Sequence, residues 1–385
     1  MYRTFEERDA DGLARAQAES FGFPLSDAAR WWDTGGRENL RVWDEKGVKG
    51  GLLDIPMGLF VSGRRLELGG VAGVAVVPEA RGRGIAKKLM SAYLLELAER
   101  KVPLSALYAS TRGLYRSVGY GIAGNRYLAE ARLEGFRAVG DRSGRWRPVN
   151  DADWDAMAEA LRRSVPASGV NLDRGPYLWK RVKERRGTPN LGYVLEGVDG
   201  PDGWLVVRQT HGDEWLTLHV EDWWARTPAA LRHVAGMLST FGTMARTVNL
   251  PVRAVDPLFD QLTEHRVDVH LHEPWLLRIC DVRGALEGRG WPSGLSATLD
   301  LEVSDPQIRD NNGRFRVRIA NGEARVQAGS DGTIKISVLG LAGLYTGHAS
   351  PWALELRGLL SGPAGALETL GQVFAGPGSA VTEMF

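Results

Sequence analysis

The segment from Leu68 to Arg100 limits the possible folds most sharply. Leu68 to Val77 is rich in Val, Gly and Ala and reads as a buried strand. Pro78 ends it, because proline lacks the N–H that a central strand requires. Arg81-Gly82-Arg83-Gly84-Ile85-Ala86 follows as a turn. From Ile85 to Arg100, Ile85, Leu89, Tyr93 and Leu97 recur at four-residue spacing, with Ala86, Met90 and Leu94 beside them. That is one face of an amphipathic helix, which Val102-Pro103 stops. Leu104 to Ala109 predicts a second strand, Arg112 to Ser117 a short helix and Tyr127 to Leu133 a further strand. A strand, a glycine turn and a long helix leading to a second strand define an α/β unit.

A similar order returns later. Trp215 to Val220 reads as a strand, Thr227-Pro228 as a helix start, and Ala229 to Phe241 as a long helix. Thr247 to Val252 is a strand and Pro257 to Thr263 a short helix, with strands near Val267–Leu271 and Trp275–Val282. The spacing matches the first block, so an internal structural repeat is expected. From Gly288 onward, short strands at Leu299–Val303, Arg314–Ile319, Ala324–Val326 and Ile334–Val338 are punctuated by Asn-Asn-Gly and Ser-Asp-Gly turns. Helical stretches Leu339–Tyr345 and Ala364–Phe374 complete a small α+β domain. Boundaries are expected at 1–133, 134–287 and 288–385.

Several function classes recede on composition. The chain has 385 residues, too many for one hydrophobic core. Its net charge of +1 gives no global attraction to nucleic acid or an anionic membrane. No apolar run approaches the length of a membrane span, and the N-terminus shows no secretory h-region. The single cysteine, Cys280, permits no internal disulfide, which fits a cytoplasmic protein. Its apolar strand makes it a small core residue rather than a nucleophile.

The turn carries chemistry. A helix N-terminus presents unpaired N–H groups and the positive end of the helix dipole to an anion. Gly82 and Gly84 let the backbone approach phosphate oxygens, and Arg81 and Arg83 add charge. Ile85-Ala86 stands where a nucleotide P-loop has Lys-Ser or Lys-Thr, and no G-x-G-x-x-G is present, so a mononucleotide or dinucleotide site is disfavoured. Alone, the pattern is also compatible with a charged turn.

The block Val74-x-Val76-x-Pro78-x-x-Arg81-Gly82-Arg83-Gly84-Ile85-Ala86, with Leu107-Tyr108-Ala109-Ser110-Thr111-x-x-Leu114-Tyr115-x-x-x-Gly119-Tyr120-Gly121, resembles the GCN5-related N-acetyltransferases (GNAT) and, more narrowly, the Eis (enhanced intracellular survival) family. Asp256-Pro257-Leu258 and Trp275-Leu276-Leu277-Arg278-x-x-Asp281-Val282 agree with it. The resemblance implies tandem GNAT-type mixed β-sheet domains, the second without a cofactor site, then a sterol-carrier-protein-2-like α+β domain. It implies acetyl-CoA as co-substrate, held by Val74, Val76, residues Arg81 to Ala86 and Ser110, with Val76 N–H as the better oxyanion donor. It implies Tyr120 as general acid and the Phe385 carboxylate as base, with Glu383 as runner-up. It further implies an amine-bearing small molecule or peptide as acceptor and a trimer-based hexamer. A frayed tail, and a Tyr120 that merely packs, are the structural alternatives.

In the second unit, Glu221-Asp222-Trp223-Trp224-Ala225-Arg226-Thr227-Pro228 is expected between strand and helix, with two acids where a phosphate would sit. Thr111 stands where many relatives carry an acid, and Met384 is uncharged; both argue against a polycationic acceptor. Asp27, Trp31 and Trp32 are the expected acceptor contacts, with Asp33 nearby, through carboxylate attraction or a cation held over an indole. His270-x-His272 lacks a third ligand at sensible spacing, so no metal is expected. Arg181 to Arg186, with Lys183, reads as a solvated basic helix face. Competing functions are transfer of a longer acyl chain and a non-enzymatic CoA- or lipid-binding carrier.

Overall fold

The computed structural model describes residues 1–165, 169–212, 214–253, 255–263, 267–376 and 378–385. Helices α1 (Ala10–Phe21) and α2 (Leu25–Gly35) precede a long hairpin of β1 (Val48–Val61) and β2 (Arg64–Val76). Then come α3 (Ile85–Glu99), β3 (Leu104–Tyr108), α4 (Arg112–Arg116) and β4 (Gly121–Arg132). The stripe read from the sequence drives this assembly: Ile85, Leu89, Tyr93 and Leu97 are all buried. They place α3 as the crossover between β2 and β3, which pair in parallel.

The second unit repeats the plan with α5 (Pro176–Lys183), β5 (Leu216–Ala225), α6 (Pro228–Thr240), β6 (Ala245–Val252) and β7 (Val267–Ile279). Strands β5 and β6 are parallel, again joined by a long helix. Thr227 caps α6 by accepting from Ala230 N at 3.1 Å, and Pro228 occupies the first helical position. Both units share one thirteen-stranded sheet, whose centre runs β1–β2–β3–β7–β4–β6–β5.

Two sequence expectations change here. The strands read near Val267–Leu271 and Trp275–Val282 are one strand, β7. Pro274 lies between two register shifts, where a missing N–H is tolerated. Strand β7 sits between β3 and β4, so the second unit supplies a central strand to the first. Glu221 to Trp224 belong to β5 rather than to a loop. Their alternation places Asp222 inward, where Arg174 neutralises it and Trp204 Nε1 donates to it, while Glu221 takes Arg208. The acids therefore do not guard the start of α6. A phosphate is disfavoured there because Thr227 already caps it, Pro228 has no N–H and no glycine is present.

The last domain is a five-stranded sheet, including β8 (Ala297–Ser304), β9 (Gly313–Ala320), β10 (Glu323–Ala328) and β11 (Ile334–Ser337), with helices α7 (Val338–Tyr345) and α8 (Ala364–Val373). The tight hairpin turn is Asn321-Gly322, both left-handed, rather than the Asn-Asn-Gly read from the sequence. Asn311 is instead a buried bracket, accepting from Val282 N and donating to Asp305. Helix α7 lies against β4 so closely that a Cβ on Gly121 would sit 2.1 Å from Leu339 O. Among the described residues, no helix is long and apolar enough to cross a membrane.

Candidate active site

Strand β2 carries one extra residue opposite β1, since Gly51 faces Ala75 while Leu53 faces Ala72. The bulge falls at Gly73-Val74, and Gly73 has φ +61°. A Cβ there would lie 2.1 Å from Trp31 Cη2, so glycine is required both by conformation and by space. Buried Gln17 secures the bulge by donating to Gly73 O at 3.2 Å and accepting from Trp32 Nε1 at 2.7 Å. Pairing of β2 with β3 ends at Gly70–Ala106, whereas β2 continues to Val76. The parallel pair therefore opens into a cleft.

The far end of that cleft is the Arg81–Ala86 turn. Gly82 and Gly84 both have φ +75°, and a Cβ on either would meet nothing within 4 Å. The cradle is open, and its glycines are needed for conformation. Arg81 braces the turn through Val76 O and Ser20 Oγ, each at 3.1 Å. Arg83 is exposed and pairs with Glu45 at 2.9 Å. Ile85 is buried under the turn, and Ala86 is half-buried. About five residues of strand, roughly 17 Å, separate the opening of the cleft from the end of β2. An extended thioester-bearing arm ending in a pyrophosphate fits this layout.

The near end widens into a cavity of about 1030 Å³ whose wall includes Trp31, Val74, Ser110, Tyr115, Tyr177 and Phe385. Trp31 donates to Tyr177 OH at 2.9 Å, tying α2 to α5. Asp27 also lines the cavity and lies 3.5 Å from Arg30. Trp32 does not reach it. Its indole is buried against Phe5 and held by Gln17, because the helical step from Trp31 turns it inward. Asp33 pairs with Arg37 in solvent. Val76 also stays outside the cavity wall, packed with Ala80 and Ile85.

The tail is ordered by named contacts. Asn125 N donates to Ser379 O, Arg126 Nε to Thr382 O and Tyr108 OH to Glu383 O, at 3.0, 3.1 and 2.7 Å. Buried Arg174 holds Glu383 at 2.8 Å and grips Asp222 with two bonds of 2.7 Å. Burial pushes the Glu383 carboxyl up, but the Arg174 charge outweighs it and the net shift is downward. Glu383 is thus an anchor for the tail. Phe385 is 7% exposed, with its ring 5.4 Å from Tyr108. Burying such a ring contributes about 1.5–3 kcal/mol toward holding this end in place. The anchoring segment Ala380 to Glu383 lines a second cavity of about 580 Å³, together with Asp222, Trp223 and Pro251. That cavity is where β5 and β6 stop pairing, the counterpart of the β2/β3 cleft.

Tyr120 is fully buried one layer below the cavity wall. Its hydroxyl is 2.8 Å from Ser105 Oγ, which itself donates to Gly69 O at 2.8 Å. With the serine proton so used, Tyr120 is the donor. Gly69–Ser105 is the last pair but one before the strands separate, so the phenol stands at the base of the cleft. Burial raises its pKa well above the usual phenol value. Tyr115, which the sequence did not single out for chemistry, lines the cavity itself. Burial pushes its pKa up to about 12. Cys280 is buried and likewise pushed up to about 12 by burial. His272 lies 3.7 Å from Glu273, and no group of three His, Cys, Asp or Glu among the described residues is spaced to hold a metal.

A splayed parallel strand pair, a glycine cradle at a helix N-terminus and a duplicated unit define the GNAT class. Models of the acetyltransferase (GNAT) domain match residues 1–123 and 170–279, and a sterol carrier protein domain matches 282–381. The N-acetyltransferase Eis of Mycobacterium tuberculosis is 30% identical over 68% of this chain, and the match spans 65% of that relative's length. An uncharacterized N-acetyltransferase of Streptomyces griseus is 28% identical over 82% of this chain and 80% of its own. The crystal structure of a GCN5-related N-acetyltransferase from Anabaena variabilis superposes with TM-score 0.95 at 29% identity, covering 100% of both chains. This chain belongs to the Eis-like GNAT family, with a sterol-carrier-protein-2-like domain following the paired GNAT domains.

Proposed function

We propose that this chain is an acetyltransferase that moves the acetyl group of acetyl-CoA to a primary amine by direct attack. The observation that supports it is the convergence on one cavity of the opened β2/β3 cleft and the buried Phe385. Acetyl-CoA supplies the acyl group as a thioester, and the Gly82/Gly84 cradle suits its pyrophosphate. The amine nitrogen forms a bond to the carbonyl carbon as the C–S bond breaks. The backbone N–H of Val74, on the cavity wall, is the donor for the developing oxyanion, while Val76, farther out on β2, serves the cofactor arm. The Phe385 α-carboxylate receives the ammonium proton, and Tyr120 gives its proton to the departing sulfur. In its ordinary range a carboxylate is a weak base, and desolvation beside the buried Phe385 and Tyr108 rings is what would raise its basicity. The same proposal carries the trimer-based hexamer and the cytoplasmic setting.

Free-thiol release from acetyl-CoA with a panel of primary amines tests the activity. Preference for a longer acyl-CoA, or thiol release independent of amine, would overturn it. Adding one glycine after Phe385 keeps the ring but moves the carboxylate by about 3.8 Å. This extension is expected to lower kcat about a hundredfold while acetyl-CoA affinity holds. Gly84→Val forces a β-branched residue into the left-handed region. It is expected to weaken acetyl-CoA binding about tenfold or more, measured by titration calorimetry, with little change in acceptor KM.

A further inference from the structure

The acceptor side of the cavity is unusually rich in free cations. Arg126, Lys180, Arg181 and Arg186 line it, and among the described residues none has a carboxylate within 4.0 Å. Arg126 is the most telling. It is half-buried, and its one hydrogen bond, Nε to Thr382 O, leaves both terminal nitrogens of the guanidinium unbonded among the described residues. Burial pulls its pKa below the ordinary arginine value; Tyr108, Glu273 and Glu383 act in the opposite sense, and Arg181 adds a smaller lowering. Arg181 spends one N–H on Tyr177 OH at 3.2 Å and lies 5.7 Å from that ring. It stands on α5, the element that the sequence presented as a solvated basic face. Glu273 and Glu383 offset the Arg126 charge through space, but neither hydrogen-bonds it, so its terminal N–H groups are left for an anion, and a planar guanidinium fork matches carboxylate and phosphate oxygens.

We propose that the acceptor is an amine that also carries a carboxylate or phosphate group, bound by Arg126 and Arg181 while its amine faces Phe385. The proposal rests on the acetyl-transfer reading above and specifies its substrate class. A polycationic amine would bring its charges against this wall and is disfavoured.

Thiol release is measured for glycylglycine, its C-terminal amide, O-phosphoethanolamine and spermidine. The anionic acceptors are expected to exceed the amide in kcat/KM by about ten- to a hundredfold, the range of one or two charge-assisted hydrogen bonds. Comparing glycylglycine with O-phosphoethanolamine separates the carboxylate from the phosphate source. In R181Q the preference for anion over amide is expected to collapse toward unity, mainly through KM, and in R126Q likewise. R126K, which keeps the charge, retains part of it. The ratio is the readout because Arg126 also holds the tail, so a general loss of activity cancels. Equal or better turnover of the amide or spermidine, or an unchanged ratio in R181Q, overturns the anionic acceptor while leaving acetyl transfer standing. No thiol release with any amine removes the acetyl-transfer reading itself and this proposal with it.

Discussion

Tyr120→Phe is expected to lower kcat by about two orders of magnitude or more, with acetyl-CoA affinity nearly unchanged. The substitution keeps the buried ring, which meets Tyr115 edge-on at 5.9 Å, and removes only the hydroxyl. Its structural cost is one hydrogen bond to Ser105, about 1 kcal/mol. Its chemical cost is the loss of a proton donor, and positioned acids contribute about 10²–10⁴-fold. A phenol whose pKa is raised by burial stays protonated through the neutral range and holds the proton until a thiolate forms beside it. Ser105 completes the device. It now donates to Gly69 O, and a rotation of its hydroxyl would let it donate to the phenolate left after transfer. Tyr115→Phe is the control, since Tyr115 also borders the cavity. A larger loss from Tyr115→Phe than from Tyr120→Phe would transfer the role. Measuring kcat at saturating acetyl-CoA, beside cofactor binding by calorimetry, separates chemistry from affinity.

What the sequence disclosed was local. The four-residue recurrence from Ile85 to Leu97 specified α3 because burial of that stripe is a property of one element. Thr227-Pro228 announced α6 because capping needs only adjacent residues. The Arg81–Ala86 turn was legible for the same reason, and the left-handed φ of Gly82 and Gly84 adds a conformational requirement that the sequence did not show. What stayed hidden depends on long-range pairing. Nothing near Arg174 in the chain shows that it joins Asp222 to Glu383, which are 48 and 209 residues away. Glu221-Asp222 looked like a charged loop because a buried ion pair reads as polar sequence until its partner is known. Strand β7 was read as two strands, and what joins them is a bulged stretch whose irregular register accommodates Pro274. Trp31 and Trp32 were equivalent as letters, and only the packing of α2 sends one to the cavity and the other to the core. The basic run from Arg181 looked solvated because no local pattern shows which helix face meets a cavity.

Asp305→Ala is expected to destabilise the fold by about 3–5 kcal/mol, the usual cost of stranding a buried partner charge. Arg278 and Asp305 are both fully buried and lie 2.8 Å apart. Asp305 also accepts from Gln307 N, Ile308 N and Asn311 Nδ2, so its removal leaves several buried donors unpaired. Arg278 would retain only the carbonyls of Val118 and Ile279. The bridge links β7, at the centre of the large sheet, to the loop that follows β8 in the last domain. Val118 lies two residues before Tyr120, so loosening this bridge also frees the segment that carries the proposed acid. Urea unfolding followed by tryptophan fluorescence is the measurement, with 13 indoles spread along the chain. Because three domains need not unfold together, the transition attributable to the last domain is followed separately by hydrogen exchange at β8 and β9. The double variant Arg278→Met with Asp305→Ala removes both charges and is expected to recover part of the loss, since a matched apolar pair avoids the stranded guanidinium. A shift below about 1 kcal/mol for Asp305→Ala, or a double variant weaker than the sum of the singles, would show that the bridge does not hold the domains together in this way.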